Sequence, residues 1–178
     1  MTNSFSSLSR RVSKIDIQPF SAPYGEGVVA LILPIQQTEF DVPVALADQP
    51  DLLDIPGFYR NGRGNFWIAL DQDEVVGSIA LLDIGDGRAA LRKMFVSRHH
   101  RGAGSGLANR LLQTLLQWSR EHGIREIYLG TTEQFLAAHR FYEKQGFVRI
   151  EKAALPTTFP IMGVDTRFYA LRLASSVV

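Results

Sequence analysis

The sequence contains no cysteine in its 178 residues. Disulfide bonds, thiolate metal ligands and a cysteine nucleophile are therefore excluded, because each of them requires a thiol. The chain also lacks an uninterrupted apolar run of the ~20 residues that a helix needs to span a bilayer. Its charge is nearly balanced, since 19 Lys and Arg stand against 18 Asp and Glu and leave a formal charge of +1. This balance gives no electrostatic reason to expect nucleic acid or a membrane as a partner.

The composition that remains is that of a globular domain, with 46% hydrophobic and 21% charged residues. The length predicts one domain with its own hydrophobic core. Residues 1–13 are rich in serine and carry basic residues but no acid. We interpret them as a flexible N-terminal tail, with a transit peptide as the alternative, although the segment is short and has no apolar stretch. Residues 14–178 are interpreted as the single domain. The expected location is the cytoplasm.

The order of the apolar patterns predicts an α/β fold. A short alternating strand at 15–20 precedes a helix from Tyr24 to Ile35, and an irregular segment from Gln36 to Gly64 follows. A three-stranded meander between 65 and 96 comes next, and then a helix, a strand, a second helix and two final strands. We therefore expect a mixed sheet that is mostly antiparallel and becomes parallel where a helix crosses over.

A glycine-rich turn links the third strand of the meander to the next helix. Its residues are, in order, Arg101, Gly102, Ala103, Gly104, Ser105, Gly106 and Leu107. Glycines allow backbone N–H groups to turn inward, and the new helix adds free N–H groups and the positive end of its dipole. We therefore predict a site for a phosphate or a diphosphate. The spacing matches neither the P-loop, which needs Gly-Lys-Ser/Thr, nor the Gly-x-Gly-x-x-Gly dinucleotide fingerprint.

A second motif lies at the end of the last predicted helix, which follows the strand after the glycine turn. It reads Ala138-His139-Arg140-Phe141-Tyr142-Glu143-Lys144-Gln145-Gly146-Phe147. Together with Arg-x-x-Gly-x-Gly at 101–106, its Tyr-Glu-Lys-x-Gly-Phe ending resembles the two hallmark motifs of the GNAT superfamily of acetyltransferases, in the same order. The resemblance implies a twisted, mostly antiparallel sheet flanked by helices on both faces, with acetyl-CoA as the donor. No pair of histidines has metal-ligand spacing, so we predict no metal.

The resemblance also implies a reaction, the direct attack of a primary amine on the thioester of acetyl-CoA. The backbone of 101–107 would then hold the diphosphate, and Met94, Phe95 and Val96 would offer main-chain groups to the pantetheine arm. Tyr142 is the expected acid, because a phenol with an ordinary pKa near 10 is protonated at neutral pH and can donate to the leaving thiolate. Phe135 stands where many members carry an asparagine that contacts the cofactor, so we expect Phe135 beside the cofactor.

The base and the acceptor are less well defined by the sequence. Glu39 is the expected base, because the irregular segment should border the acceptor site, with Asp83 or a chain of waters as alternatives. The acceptor would be a small-molecule amine or a peptide N-terminus, and the assembly could be a homodimer. A polycationic acceptor would suit the aspartates of the irregular segment, which are Asp41, Asp48, Asp51 and Asp54. Another acyl-CoA donor stays open, as does a different class of function, a CoA-binding sensor or interaction module without turnover.

Overall fold

The structure is a computed structural model that describes residues 14–102 and 104–174. The expected tail at 1–13 and Ala103 of the glycine turn lie outside these residues. The strands are β1 (Asp16–Pro19), β2 (Asn65–Asp71), β3 (Glu74–Gly85), β4 (Arg88–Val96), β5 (Glu126–Thr131), β6 (Val148–Ile150) and β7 (Arg167–Arg172). The helices are α1 (Gly25–Pro34), α2 (Pro50–Leu53), α3 (Ile55–Tyr59), α4 (Leu107–Glu121) and α5 (Leu136–Lys144). Within the described ranges, no helix has both the length and the apolar character required to cross a membrane.

The strands form one seven-stranded sheet in the order β1-β2-β3-β4-β5-β7-β6. Every neighbouring pair is antiparallel except β4 and β5. These two strands are parallel because α4 connects them as a crossover helix. The expected fold class, a mixed and mostly antiparallel sheet with helices on both faces, is thereby confirmed.

Alternate residues of the central strands pack on opposite faces of the sheet. In β2, Trp67 and Ala69 belong to a core that includes the leucines of α4. Phe66 and Ile68, one position away, belong to a second core that α1 and the short helices cover. The completely buried leucines of α4 are Leu111, Leu112 and Leu115. Burial of each such side chain contributes roughly 1.5–3 kcal/mol, and covering both faces explains why the strands are continuously apolar.

Helix α1 ends in a wider turn because of its internal proline. Pro34 has no N–H to donate, and residues Ile35–Glu39 continue as a π turn in which the Phe40 N–H donates to the Ile35 carbonyl at 3.1 Å. The predicted helix over Tyr24–Ile35 is confirmed within a residue at each end. The π turn was not predicted, and it carries Glu39 to the glycine turn.

Strands β4 and β5 pair only over their first residues. The register joins Arg88–Ala90 to Glu126–Tyr128, and no further pairs between the two strands occur in the described chain. The carboxyl halves of the strands therefore diverge. A bulge adds to the divergence, because Lys93 has a φ of 50° and the register between β3 and β4 shifts there. The result is an opening in the middle of the sheet.

Candidate active site

The opening between β4 and β5 leads into a cavity of about 130 Å³. Its walls come from the diverging halves of the two strands, from α5, and from the segments 36–49 and 159–165. The first of these segments belongs to the irregular region after α1, and the second lies between β6 and β7. The cavity is therefore built from parts of the chain that are far apart in sequence.

The glycine turn follows the open end of β4 and faces open space. Gly102 and Gly106 have φ values of 101° and 60°, which residues with a Cβ rarely adopt. A Cβ built at Gly102, Gly104 or Gly106 would meet nothing within 4 Å. Gly106 cannot cap α4 with a side chain, and the Leu107 N–H has only a long contact of 3.3 Å to the Ser105 hydroxyl. The N-terminus of α4 is therefore open to an anion.

The side chain of Arg101 ties this turn to the end of α1. Its Nε donates to the Val96 carbonyl at 2.8 Å, and its guanidinium forms a two-pronged pair with Glu39, with 3.0 Å between Nη2 and Oε2. The guanidinium also lies over the ring of Phe40, 5.8 Å from its centroid. The hydrogen bond from Arg101 is the main reason why the pKa of Glu39 is lowered. A carboxylate with a lowered pKa is a weaker base.

The end of β4 contains the residues expected to contact the pantetheine arm. The Ser78 hydroxyl donates to the carbonyl of Lys93 at 2.7 Å and holds the bulge. Beyond it, Met94 and Phe95 line the cavity. Val96, the last residue of the strand, uses its carbonyl to bind Arg101. This part of β4 thus runs from the cavity to the glycine turn.

Phe135 precedes α5 and belongs to the aromatic wall of the cavity. Its ring centroid lies 4.8 Å from that of Phe40 and 6.1 Å from that of Phe95. The ring therefore joins α5 to β4 and to the segment after α1. Phe135 therefore gives this part of the cavity an apolar surface.

Tyr142 lies on α5 and lines the cavity with 5% of its surface exposed. Its ring packs against those of Phe147 and Tyr169. Burial raises the pKa of Tyr142 far above its ordinary value, so the phenol remains protonated at neutral pH. Its hydroxyl makes no hydrogen bond to another described residue. It is therefore available to donate to a ligand in the cavity.

Thr132 is a cavity residue that the sequence did not indicate. It is 4% exposed, and its hydroxyl has no partner among the described residues. Its carbonyl binds His139 Nε2 at 2.8 Å, and Arg167 Nη1 stands 3.1 Å from His139 Nδ1. Burial lowers the pKa of His139, which indicates a neutral ring that donates through Nε2 and accepts through Nδ1. This arrangement holds the backbone of Thr132 in place.

A buried polar cluster borders the cavity around Asp51. Lys93 Nζ donates to Gln49 Oε1 at 2.5 Å and stands 3.5 Å from Asp51 Oδ2. The same carboxylate oxygen accepts the Tyr59 hydroxyl at 2.5 Å. Gln49 and Gln36 exchange amide hydrogen bonds. Burial lowers the pKa of Lys93, although the ion pair with Asp51 opposes the shift.

Arg92 and Asp165 supply further charge on the cavity wall. Arg92 Nη2 lies 3.9 Å from Asp51 Oδ2 and 3.2 Å from the sulfur of Met162. Asp165 Oδ2 accepts the Met162 N–H at 3.1 Å. The carboxylate lies against Gly130, where a Cβ would stand only 2.5 Å from Oδ2. Burial raises the pKa of Asp165, and the hydrogen bond from the Met162 N–H and two neighbouring cations oppose the shift.

The other acidic residues considered in the sequence lie outside the cavity. Asp83 accepts the backbone N–H of Arg63 at 2.8 Å. Asp48 and Asp54 accept backbone N–H groups of their own turns, at 2.9 Å and 3.0 Å. Neither these residues nor Asp41 and Asp51 are among those that line the cavity. Within residues 14–102 and 104–174, no group of three or more His, Asp or Glu side chains has the arrangement of a metal site.

A family model and a solved structure both show that the chain is similar to GNAT acetyltransferases. The model of the acetyltransferase (GNAT) family matches residues 30–147, more than half of the chain. The crystal structure of an acetyltransferase of the GNAT family from Staphylococcus aureus superposes with a TM-score of 0.87 at 36% identity. That alignment covers 90% of this chain and 100% of the other.

Two curated relatives are similar over part of their length. N-acetyltransferase 8F1 of Rattus norvegicus is 33% identical over 128 residues, which are 69% of this chain and 57% of that protein. N-acetylaspartate synthetase of Danio rerio is 35% identical over 102 residues, or 56% of this chain and 36% of that protein. The chain spans roughly half the length, or less, of these curated relatives.

Proposed function

The chain belongs to the acetyltransferase (GNAT) family, and on that premise we propose that it transfers the acetyl group of acetyl-CoA to a primary amine of a small molecule. Family membership supports acetyl-CoA as the donor and a transferase as the enzyme class. The observation that carries the proposal is the divergence of β4 and β5. The open glycine turn follows one side of that opening, and Tyr142 lines the cavity within it.

In this proposal, backbone rather than side chains binds the donor. The N–H groups of 101–107 and the first turn of α4 hold the diphosphate, because an uncapped helix N-terminus carries partial positive charge. The pantetheine arm follows Met94–Val96 and passes the aromatic surface of Phe135. Arg101 contributes by holding the turn, since its guanidinium is already bound to Glu39.

The chemistry requires one new bond and one broken bond. The ammonium of the acceptor first loses a proton, and the nitrogen lone pair then forms the C–N bond at the thioester carbonyl. The C–S bond breaks, and the leaving thiolate takes the proton of the Tyr142 hydroxyl. The tyrosinate regains a proton from the nitrogen, which becomes an amide. One proton is released overall, and the products are the acetylated amine and CoA.

The location of Glu39 favours a supporting role for this residue. Its carboxylate is engaged by Arg101 and its pKa is lowered. We therefore propose that Glu39 fixes the position of Arg101 rather than accepting the proton of the amine. The proton of the amine is then accepted by a different group.

The test is thiol release from acetyl-CoA across a panel of primary amines, comparing the wild type with Tyr142→Phe. We expect amine-dependent release that falls by about 10²–10⁴-fold in the variant, the usual contribution of a positioned acid. Tyr24→Phe is the matched control, because Tyr24 packs against the core on the α1 side of the sheet and should leave the rate unchanged.

Each of the other results has a distinct meaning. Release that persists in Tyr142→Phe would keep the transferase and remove the tyrosine from its role. Calorimetry that detects CoA binding, without release for any amine, would favour a CoA-binding sensor. Failure to bind CoA at all would contradict the proposal.

A further inference from the structure

We propose that the acceptor is an amino acid, whose carboxylate binds Arg92 and whose amino group lies at Asp165, the residue that takes its proton. This inference rests on the proposed acetyl transfer and adds the class of acceptor and the identity of the base. Both residues line the cavity.

The first observation is that the guanidinium of Arg92 lacks acceptors. Its side chain is only 12% exposed, yet its distance to Asp51 Oδ2 is 3.9 Å, too long for a hydrogen bond. Its other contacts are the sulfur of Met162, which is a weak acceptor, and the ring of Phe58. In the described chain it makes no hydrogen bond to an oxygen. A guanidinium has five N–H donors in a planar fork, which a carboxylate can match with two oxygens.

The second observation is the local balance of charge. Two cations, Arg92 and Lys93, stand near two carboxylates, those of Asp51 and Asp165. Lys93 is the cation nearer to Asp51 and also binds Gln49. Arg92 is thus the cation whose N–H groups have fewer oxygen partners, and a buried donor without a partner is costly. The carboxylate of the acceptor would supply those partners, and its amino group would face Asp165.

The third observation is the position of Asp165. Its carboxylate lies against Gly130 in the diverging half of β5, beside the opening through which the thioester arrives in our proposal. The charged groups that face it are Arg92 and Lys93 of β4. Burial in this wall raises the pKa of Asp165, which makes the carboxylate a stronger base than an exposed aspartate.

Arg92 and Asp165 are close enough for one small molecule to reach both, because both contact Met162. Arg92 contacts its sulfur, and Asp165 binds its N–H. An amino acid brings an amine and a carboxylate separated by one carbon. A peptide N-terminus presents an uncharged carbonyl in place of that carboxylate, and a polyamine presents a second cation to Arg92. The amino acid therefore fits the charges of this wall better than either alternative.

Asp165, Tyr142 and the amide nitrogen account for the three protons of the ammonium. Asp165 takes one proton from the ammonium and returns it to solvent, and the nitrogen then attacks the thioester carbonyl. The C–S bond breaks, and Tyr142 protonates the thiolate. Tyr142 is restored by the second proton that the nitrogen loses, and the third stays on the amide.

The test compares free amino acids with their carboxamides, with thiol release from acetyl-CoA as the measurement. The members of each pair share the amine and the side chain and differ in the carboxylate. We expect at least one amino acid to be acetylated with a kcat/KM at least about tenfold above that of its carboxamide, the effect of losing a charge-assisted hydrogen bond. Equal rates, or a preference for the carboxamide or for short peptides, would overturn the inference and leave the acetyltransferase standing. No release from either member of any pair would likewise overturn the inference, and release with other primary amines of the panel would show that the proposed acetyl transfer still stands.

Variants assign the preference to residues. Arg92→Gln should bring the amino acid down to the rate of its carboxamide, and Arg92→Lys should restore part of the preference. Arg88→Gln is the matched control, because Arg88 lies on the same strand but pairs with Glu126 outside the cavity. Preference retained in a folded Arg92→Gln protein would rule out the assigned contact.

Asp165 is tested by the pH profile. The wild-type rate should fall as the pH drops below the pKa of Asp165, and Asp165→Asn should reduce the rate and abolish that acidic limb. Asp73→Asn, at an exposed aspartate between β2 and β3 that does not line the cavity, should keep the profile. An unchanged acidic limb in Asp165→Asn would exclude this residue as the base.

Discussion

The proposed donor side of the site, which is the glycine turn, and the proposed acceptor side, which is the cavity wall around Arg92 and Asp165, are built in different ways. On the donor side, consecutive residues of one turn present backbone N–H groups, and glycine provides the positive φ values that the turn needs. On the acceptor side, the side chains of Arg92, Thr132 and Asp165 come from separate segments and meet only in the fold. The first kind of site depends on local sequence and has a recognisable spacing. The second depends on tertiary packing and leaves no contiguous motif.

The two sides also differ in how they respond to substitution. A Cβ added at the glycines of the turn would meet no other residue, so we expect a substitution there to affect binding of the proposed donor while the core stays intact. The acceptor side includes a buried ionic cluster, so a change there alters the free energy of unfolding as well. Three substitutions test this contrast.

The largest effect is expected from Asp51→Asn. Asp51 is 1% exposed and is the buried counter-charge of Lys93 and Arg92. Removing one partner of a buried ion pair costs about 3–5 kcal/mol, because the remaining charge stays buried without compensation. We expect a decrease of this size in the free energy of unfolding, measured by urea denaturation.

Asp48→Asn is the control for this prediction, because Asp48 caps an exposed turn in the same segment. Lys93→Met combined with Asp51→Asn should recover part of the loss, since the unpaired cation is then absent. An Asp51→Asn protein as stable as the wild type would show that the cluster is not a charged unit.

An intermediate effect is expected from Gly106→Val on the donor side. Gly106 has a φ of 60°, a conformation that a β-branched residue adopts only with strain. If the turn of the variant relaxes out of this conformation, binding must restore it at a cost of about 1–2 kcal/mol, which corresponds to a loss of roughly tenfold in affinity. The new side chain would also enter the space in front of the turn. We expect CoA binding, measured by calorimetry, to weaken at least by this factor.

Gly163→Val provides the comparison for Gly106→Val. Gly163 also meets nothing within 4 Å, but its φ lies outside the positive region. The Gly163→Val protein should bind CoA with the affinity of the wild type. Equal losses at the two positions would mean that the backbone of the turn has no special role.

The smallest effect is expected from Glu39→Gln. The ion pair with Arg101 is partly exposed, with 28% of the Glu39 side chain accessible, and such pairs contribute about 0–1 kcal/mol. Because the pKa of Glu39 is lowered in the folded state, its contribution is present above the unfolded pKa near 4.5 and is lost as the pH falls through the folded value. Thermal unfolding between pH 3 and pH 7 should show this slope in the wild type and a weaker one in the variant.

Activity separates the two roles considered for Glu39. If Glu39 only fixes the position of Arg101, Glu39→Gln should lower kcat/KM by no more than a few-fold, chiefly by raising the KM for acetyl-CoA. A collapse of kcat at neutral pH would instead restore Glu39 as the base.

The regular elements were predicted well because their signals are local. The apolar spacing of α4 requires burial of one helical face, and Leu111 and Leu115 are indeed fully buried. The π turn after Pro34 was missed because a proline in an apolar stretch indicates an end and does not specify how the chain continues. The position of β7 between β5 and β6 could not be read either, since two short final strands can be added to a sheet edge in either order.

The sequence by itself determined the family, the fold class and the location of the glycine turn, because each is encoded by neighbouring residues through backbone conformation or helical period. Only the tertiary structure decided which side chains line the cavity. Arg92 reads as one more residue of a strand, and Asp165 as a loop acid between prolines and the last strand. Their proximity to Met162 and to the diverging strands follows from packing between segments distant in the chain, and no local pattern records such contacts.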